Sequence, residues 1–223
     1  MPAKNSLKTY SENSYYHLYN RGVEKRIIFQ DKQDYNVFVS YLKTYLLPKD
    51  EMMLKNQLSD SALPWVDKDK ALKLLRMNNF ADEINLIAYC LMPNHFHFLL
   101  KQNSSNAIDR LMNSLGTRYT MYFNKKYKRV GSLYQSVYKA VQVESNEQLL
   151  YLSSYIHRNP LPEKQLFSQP SSLPEYLKNN KSEWIHPEII LSNFSKTNPK
   201  LSYKSFILQT EDLLLIEKLL IDL

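Results

Sequence analysis

The 223-residue chain has one cysteine and only three glycines. A single thiol cannot close an internal disulfide and leaves no cysteine cluster for zinc, which fits a reducing compartment. Cys90 lies in an apolar run, where burial as a small hydrophobe is the expected role. No apolar run approaches the roughly 18 residues of a membrane span. The opening stretch MPAKNSLKTYSENS lacks the apolar core of a signal peptide, so the protein is expected to be soluble and cytoplasmic, with no membrane partner. There is no internal repeat, no low-complexity tract and no P-loop pattern.

The balance of charge is basic, with 29 Lys and Arg against 22 Asp and Glu, a net +7 that is densest around NKKYKRVG at 124–131. Such a surplus favours an anionic partner, most often nucleic acid, although a solvated basic face explains it about as well. At this length the chain can bury one proper core, with additions.

Hydrophobic patterning gives the order of elements. YYHLYNRG at 15–22 has strand character and stops at a glycine. In the next stretch, 31–47, Tyr35, Phe38, Val39, Leu42 and Leu46 fall at helical spacing. Residues from about 48 to 80 read as a polar, partly helical insertion. EINLIAYCLMP and NHFHFLLKQ read as two strands joined at MPN, where Pro93 and Asn94 form the turn. Ile108, Leu111, Met112, Leu115, Tyr119 and Tyr122 mark a long amphipathic helix. SVYKAVQVE at 136–144 alternates as a fourth strand. Strand, helix, strand, strand, helix, strand is the order of an α+β, ferredoxin-like (RRM-like) split βαβ sheet.

A further helix begins at Ser145, where SNEQ has the form of a capping box, and ends near Pro160. QPSSLP then reads as a linker, and segments such as EDLLLIEKLLIDL as helices. The expected organisation is a polar leader over 1–11, a domain over 12–165, and a mainly helical extension over 166–223.

Two features carry chemistry. Within NHFHFLLKQ, His95 and His97 share one strand face and Phe96 and Phe98 the other. Exposed imidazoles side by side can hold a divalent metal when other groups complete the shell, whereas a bare His-x-His is more often a pair of satisfied histidines. On the helix from Ser145, Tyr151, Tyr155 and Asn159 recur every four residues, beside an apolar stripe of Leu149, Leu152 and Ile156 that can pack on the sheet. In a chain with 17 tyrosines, spacing alone makes Tyr155 a packing residue.

At these residues the sequence resembles a known family. MPNHFHFLL is similar to the His-hydrophobic-His motif of the single-tyrosine HUH transposases, and YIHRNP resembles the Y-I-x-x-N-P run of the REP-associated tyrosine transposases. YHLYNRG, IFQDKQDY and RVGSLYQSVYKA resemble other segments of that domain, over about 12–165, with weaker similarity around EWIHPEIILSNF. The resemblance implies that His95 and His97 bind Mg²⁺ or Mn²⁺ and that Asn159 helps complete the shell. It implies that Tyr155 is the nucleophile and the substrate single-stranded or hairpin DNA, cut to a 5′-phosphotyrosine and a free 3′-hydroxyl by a monomer or homodimer.

Asn20 and Arg21 resemble family positions near bound DNA. Arg118, Lys125, Lys126, Lys128, Arg129 and Arg158 are candidate phosphate contacts, though solvated surface is the commoner fate of any one of them. Pro160 disfavours helical backbone at Asn159. His157 falls on a different helix face from Tyr155, so the general base is not identified.

The runner-up is a non-catalytic module that binds single-stranded nucleic acid, with Tyr15, Tyr19 and Phe98 as exposed stacking residues on an open sheet. A hydrolase lacks the carboxylates such metal sites usually supply.

Overall fold

The computed structural model describes residues 10–159, 169–178 and 182–209. Four antiparallel strands, β1 (Ser14–Arg21), β2 (Ile84–Met92), β3 (His95–Gln102) and β4 (Lys139–Val143), form one sheet in the order β2-β3-β1-β4. This is the expected split βαβ arrangement.

Side chains alternate across the sheet, so each strand feeds two layers. Tyr16, Leu18, Phe96, Phe98 and Leu100 point into the core beneath α1 (Lys32–Leu46) and α4 (Ala107–Lys126). Leu99, Cys90 and Val143 point the other way, against α5 (Asn146–Arg158). A bulge between Leu86 and Ala88 adds Ile87 to that second layer, so Ile87 and Ala88 share a face.

Helix α1 starts where the Asp31 carboxylate accepts the Asp34 N–H, a standard N-cap. Its buried positions include Phe38, Leu42, Tyr45 and Leu46. In α4 the deepest residue of the last turns is Phe123 rather than Tyr122. The insertion forms two helices, α2 (Glu51–Ser59) and α3 (Trp65–Arg76), packed on each other. The fourth strand is shorter than the 136–144 expected, because the segment before it is used differently. Tyr134 bridges to Gly22 and the Gln135 N–H donates to the Arg21 carbonyl, which braces the end of β1.

QPSSLP is not a loose spacer. The Leu91 N–H donates to the Pro170 carbonyl, Ser172 N–H to the Tyr89 carbonyl, and Ser171 bridges to Cys90, so this stretch covers the outer edge of β2. The chain continues through α6 (Leu173–Leu177), α7 (Glu188–Leu191) and α8 (Tyr203–Gln209). Leu173, Tyr176, Ile190, Tyr203 and Ile207 join the layer around α5. EDLLLIEKLLIDL, expected to be helical, lies outside the described residues.

Candidate functional site

The site lies on the α5 face, where β1, β3 and α5 meet. Its floor is set by a clamped turn. Pro93 and Asn94 join β2 to β3; Ile28 and Phe29 both donate backbone N–H groups to the Pro93 carbonyl, and Gly22 donates to the Asn94 carbonyl. Gly22 is required there, since a Cβ would lie 2.2 Å from the Arg26 carbonyl oxygen. These bonds fix the backbone that leads into His95.

His95 and His97 share a face as expected, with ring centroids 5.0 Å apart and planes at 89°. Their burial differs. His95 is half-buried, whereas His97 is only 1% exposed, which corrects the expectation of an exposed pair. The physical reason is the α5 layer, which covers β3 from His97 onward. Burial, helped by His17 and His95 nearby, holds the His97 imidazole well below its usual pKa and therefore neutral at pH 7.

Each imidazole has its Nδ1 engaged. His95 Nδ1 is 2.6 Å from Asn94 Oδ1, and His97 Nδ1 is 2.9 Å from His17 Nε2. A metal would therefore have to be met through Nε2 of both rings. His17, buried on β1, was not singled out from the sequence. The signal was present: His17 and Tyr19 share the face that pairs with His97, and the register Tyr19↔His97 makes His17 a diagonal neighbour.

Helix α5 supplies the tyrosine. Ser145 Oγ accepts the Gln148 N–H, and the Gln148 side chain accepts the Glu144 N–H, one residue earlier than a standard capping box. Leu149, Leu152 and Ile156 are buried against the sheet, at about 1.5–3 kcal/mol each. That registers the helix so that the half-buried Tyr155 meets His97 edge to face, with centroids 5.7 Å apart. Tyr151 packs instead on Phe206 of α8.

Asn159 is helical (φ −52°, ψ −40°), its N–H donating to the Tyr155 carbonyl, so α5 runs to the residue that Pro160 was expected to unwind. The i→i−4 bond to Tyr155 outweighs the local preference. The Nδ2 atom of Asn159 is buried without a hydrogen-bond partner. A buried orphan of this kind is costly, and the amide can turn to present its oxygen instead.

Among the described residues no three His, Cys, Asp or Glu side chains gather as a metal site. A cation here would rest on the His95 and His97 imidazoles, whose other nitrogens meet Asn94 and His17. These neutral donors fit a divalent ion and leave its charge undiminished for a phosphate.

His157 faces away from Tyr155. It is fully buried, with Nδ1 2.7 Å from the Tyr203 hydroxyl and Nε2 2.7 Å from the Ser172 hydroxyl, and burial pushes its pKa down to about 3. It joins α5 to the C-terminal helices.

The basic candidates are spread over both layers. Arg158 is exposed on α5. Arg21 lies opposite His95 in the register and bonds Gln135 through Nε at 2.5 Å. Asn20 is 9% exposed and donates to the Ser136 carbonyl. Lys125 and Lys128 are exposed at the end of α4, Arg129 bonds Asn124, and Lys126 pairs with Asp31 and Asp34. Arg118 stacks 3.8 Å over the Tyr41 ring. The α4 residues belong to the layer opposite Tyr155.

The stacking residues of the non-catalytic reading are not on an open sheet. Phe98 is fully buried under α1 and α4, Tyr19 is 2% exposed, and Tyr15 is half-buried. The sheet is covered on both faces, which removes the platform.

Residues 63–159, from just before α3 through Asn159, match the family model of IS200-like transposases. A solved structure of a REP-associated tyrosine transposase bound to a REP hairpin is similar at a TM-score of 0.41 and 10% identity, over 88% of this chain and 94% of that one. No curated protein matches the chain.

Proposed function

We propose that the IS200-like transposase segment at residues 63–159 works, with β1, as a single-stranded DNA strand transferase whose nucleophile is Tyr155. What supports this reading most is the packing of the Tyr155 ring against His97, beside His95, on a capped helix held to the same sheet.

In the reaction the Tyr155 phenol oxygen forms a bond to phosphorus as the bond from phosphorus to the 3′ oxygen breaks. The phenol proton goes to a base or to water, and the 3′ oxygen leaves with the bonding electron pair and takes a proton back from that base or from water to become a hydroxyl. The DNA 5′ end stays on Tyr155 as a phosphodiester, so the reverse attack by a 3′-hydroxyl rejoins strands without ATP. His95, His97 and Asn159 are the residues that would hold Mg²⁺ or Mn²⁺. That ion, when bound, supplies polarisation of the scissile phosphate and charge to offset the phosphate's own. A phenol has an ordinary pKa of about 10, so its attack needs help in losing the proton.

Hairpin-containing sites are the proposed substrate, approached along the α5 face past Arg158 and Arg21. Residues 12–165 would form the transferase domain and 166–223 an extension that steadies α5. A monomer or homodimer acting in the cytoplasm fits this reading. Among the described residues no helix is long and apolar enough to cross a membrane.

The test is incubation of wild type and Tyr155→Phe with end-labelled hairpin oligonucleotides and Mn²⁺, followed by a denaturing protein gel. A labelled protein band in wild type that is absent from Tyr155→Phe is the expected result. A band in the variant moves the nucleophile to another residue. Tight binding with no band in either protein favours the non-catalytic module.

A further inference from the structure

We propose that His17 is a positioning residue which sets the tautomer of His97, accepting the His97 Nδ1–H on its own Nε2 and so leaving the His97 Nε2 lone pair for a cation. The inference rests on the metal-assisted reading above and goes beyond the pair of histidines that reading names.

The geometry leaves few arrangements. His17 Nε2 and His97 Nδ1 are 2.9 Å apart, with both side chains essentially without solvent exposure. The two rings are near-parallel, 15° apart, and a centroid separation of 5.1 Å with the facing nitrogens 2.9 Å apart sets them edge to edge, as an in-plane N–H···N bond requires. One nitrogen of the pair must carry the proton and the other must accept it, since two facing lone pairs or two facing N–H groups would leave buried polar atoms unsatisfied. If His17 donated, His97 would carry its proton on Nε2 and could not ligate through that atom. If His97 donates, Nε2 is the lone-pair nitrogen, and the ring is held in that state before any cation arrives.

A histidine ligand normally gives its other N–H to an acceptor that fixes tautomer and ring orientation. Here the acceptor is a second imidazole from the central strand β1, itself locked between β3 and β4 in the sheet. His95 is served differently, by Asn94 in the turn at 2.6 Å. The two candidate ligands are therefore oriented by separate elements, one by the clamped turn and one by the sheet interior. Residues 63–159 carry both histidines but not His17, which lies outside the matched span.

The experiment needs no DNA. Metal-free protein labelled with ¹⁵N-histidine is measured by long-range ¹H–¹⁵N correlation, which separates protonated from unprotonated ring nitrogens. The expected His97 pattern is protonated Nδ1 and unprotonated Nε2. Mn²⁺ binding is then followed by electron paramagnetic resonance for wild type, His17→Gln and His17→Phe, with folding checked by circular dichroism.

His17→Phe should weaken Mn²⁺ binding by about 10- to 100-fold, and His17→Gln, whose amide oxygen can accept the same proton, should recover most of that loss. An Nε2-protonated His97 in wild type overturns the proposal, as does a folded His17→Phe that binds Mn²⁺ like wild type. Should His17→Phe fail to fold, the wild-type tautomer and the His17→Gln affinity still decide. Wild type with the expected tautomer and no Mn²⁺ binding supports the His17 assignment and overturns the metal reading instead.

Discussion

The two faces of strand β3 are built from one alternating sequence and serve opposite ends. Phe96, Phe98 and Leu100 enter a buried aromatic core with Phe38 and Tyr119, while His95, His97 and Leu99 face α5. On the first face shape is enough, because apolar burial has no directional demand. On the second, each buried nitrogen must find a partner, and the chain spends Asn94 and His17 on that duty. The lesson is that a functional layer shows itself by polar groups that the fold keeps buried, the His17 and His97 rings bonded to each other and Asn159 Nδ2 left without a partner.

The sharpest way to break the comparison is to damage each face separately. His95→Ala, at a half-buried rim position, should cut metal-dependent cleavage on the order of a hundredfold or more while changing stability by under about 0.5 kcal/mol. Cleavage kinetics and thermal denaturation measured on one preparation check both halves. Equal loss of fold and activity would mean that the α5 face is only structural.

The opposite outcome is expected for Asp34→Ala on the α1/α4 side. Asp34 is fully buried and accepts from Lys126, Tyr122, Tyr127 and the Gln30 N–H. Removing it strands those donors and should cost about 3–5 kcal/mol in urea denaturation. Cleavage per folded molecule should stay near wild type.

His157 gives a smaller, pH-dependent effect. Its pKa is about 3 in the folded protein against 6.5 ordinarily. Above pH 6.5 neither state binds the proton and His157 adds no slope. Between 6.5 and about 3 only the unfolded chain takes it up, so stability falls as pH falls, by about 1.4 kcal/mol per pH unit. Urea titrations of wild type and His157→Gln across that window should differ by this slope, and parallel curves would contradict the burial argument.

The smallest effect concerns the DNA path. Arg158→Ala should weaken hairpin binding modestly and lower the salt-dependence slope by about 1, with Lys125→Ala near neutral. The reverse ranking in a salt titration would move the DNA to the α4 layer.

Much of this was legible in the sequence because the decisive signals are periodic. The period-2 run at 95–98 placed both histidines on one face, and the Ser145 cap with Leu149, Leu152 and Ile156 set which way Tyr155 points. What escaped depends on register and tertiary cover. The depth of His97 comes from α5 lying over it, and the role of His17 from the pairing of β1 with β3. The edge pairing of Pro170 and Ser172 with β2 also has no local signature, since those residues read equally well as a turn.

The central claim is that Tyr155 is the residue that joins DNA. Its most direct test is peptide mapping by mass spectrometry of protein trapped with a cleaved hairpin oligonucleotide and Mn²⁺, after nuclease trimming. The account predicts a nucleotide phosphate on the tryptic peptide that contains Tyr155, with fragment ions placing it on that side chain. An adduct on Tyr151 or any other residue, in a preparation that cleaves DNA, would contradict it.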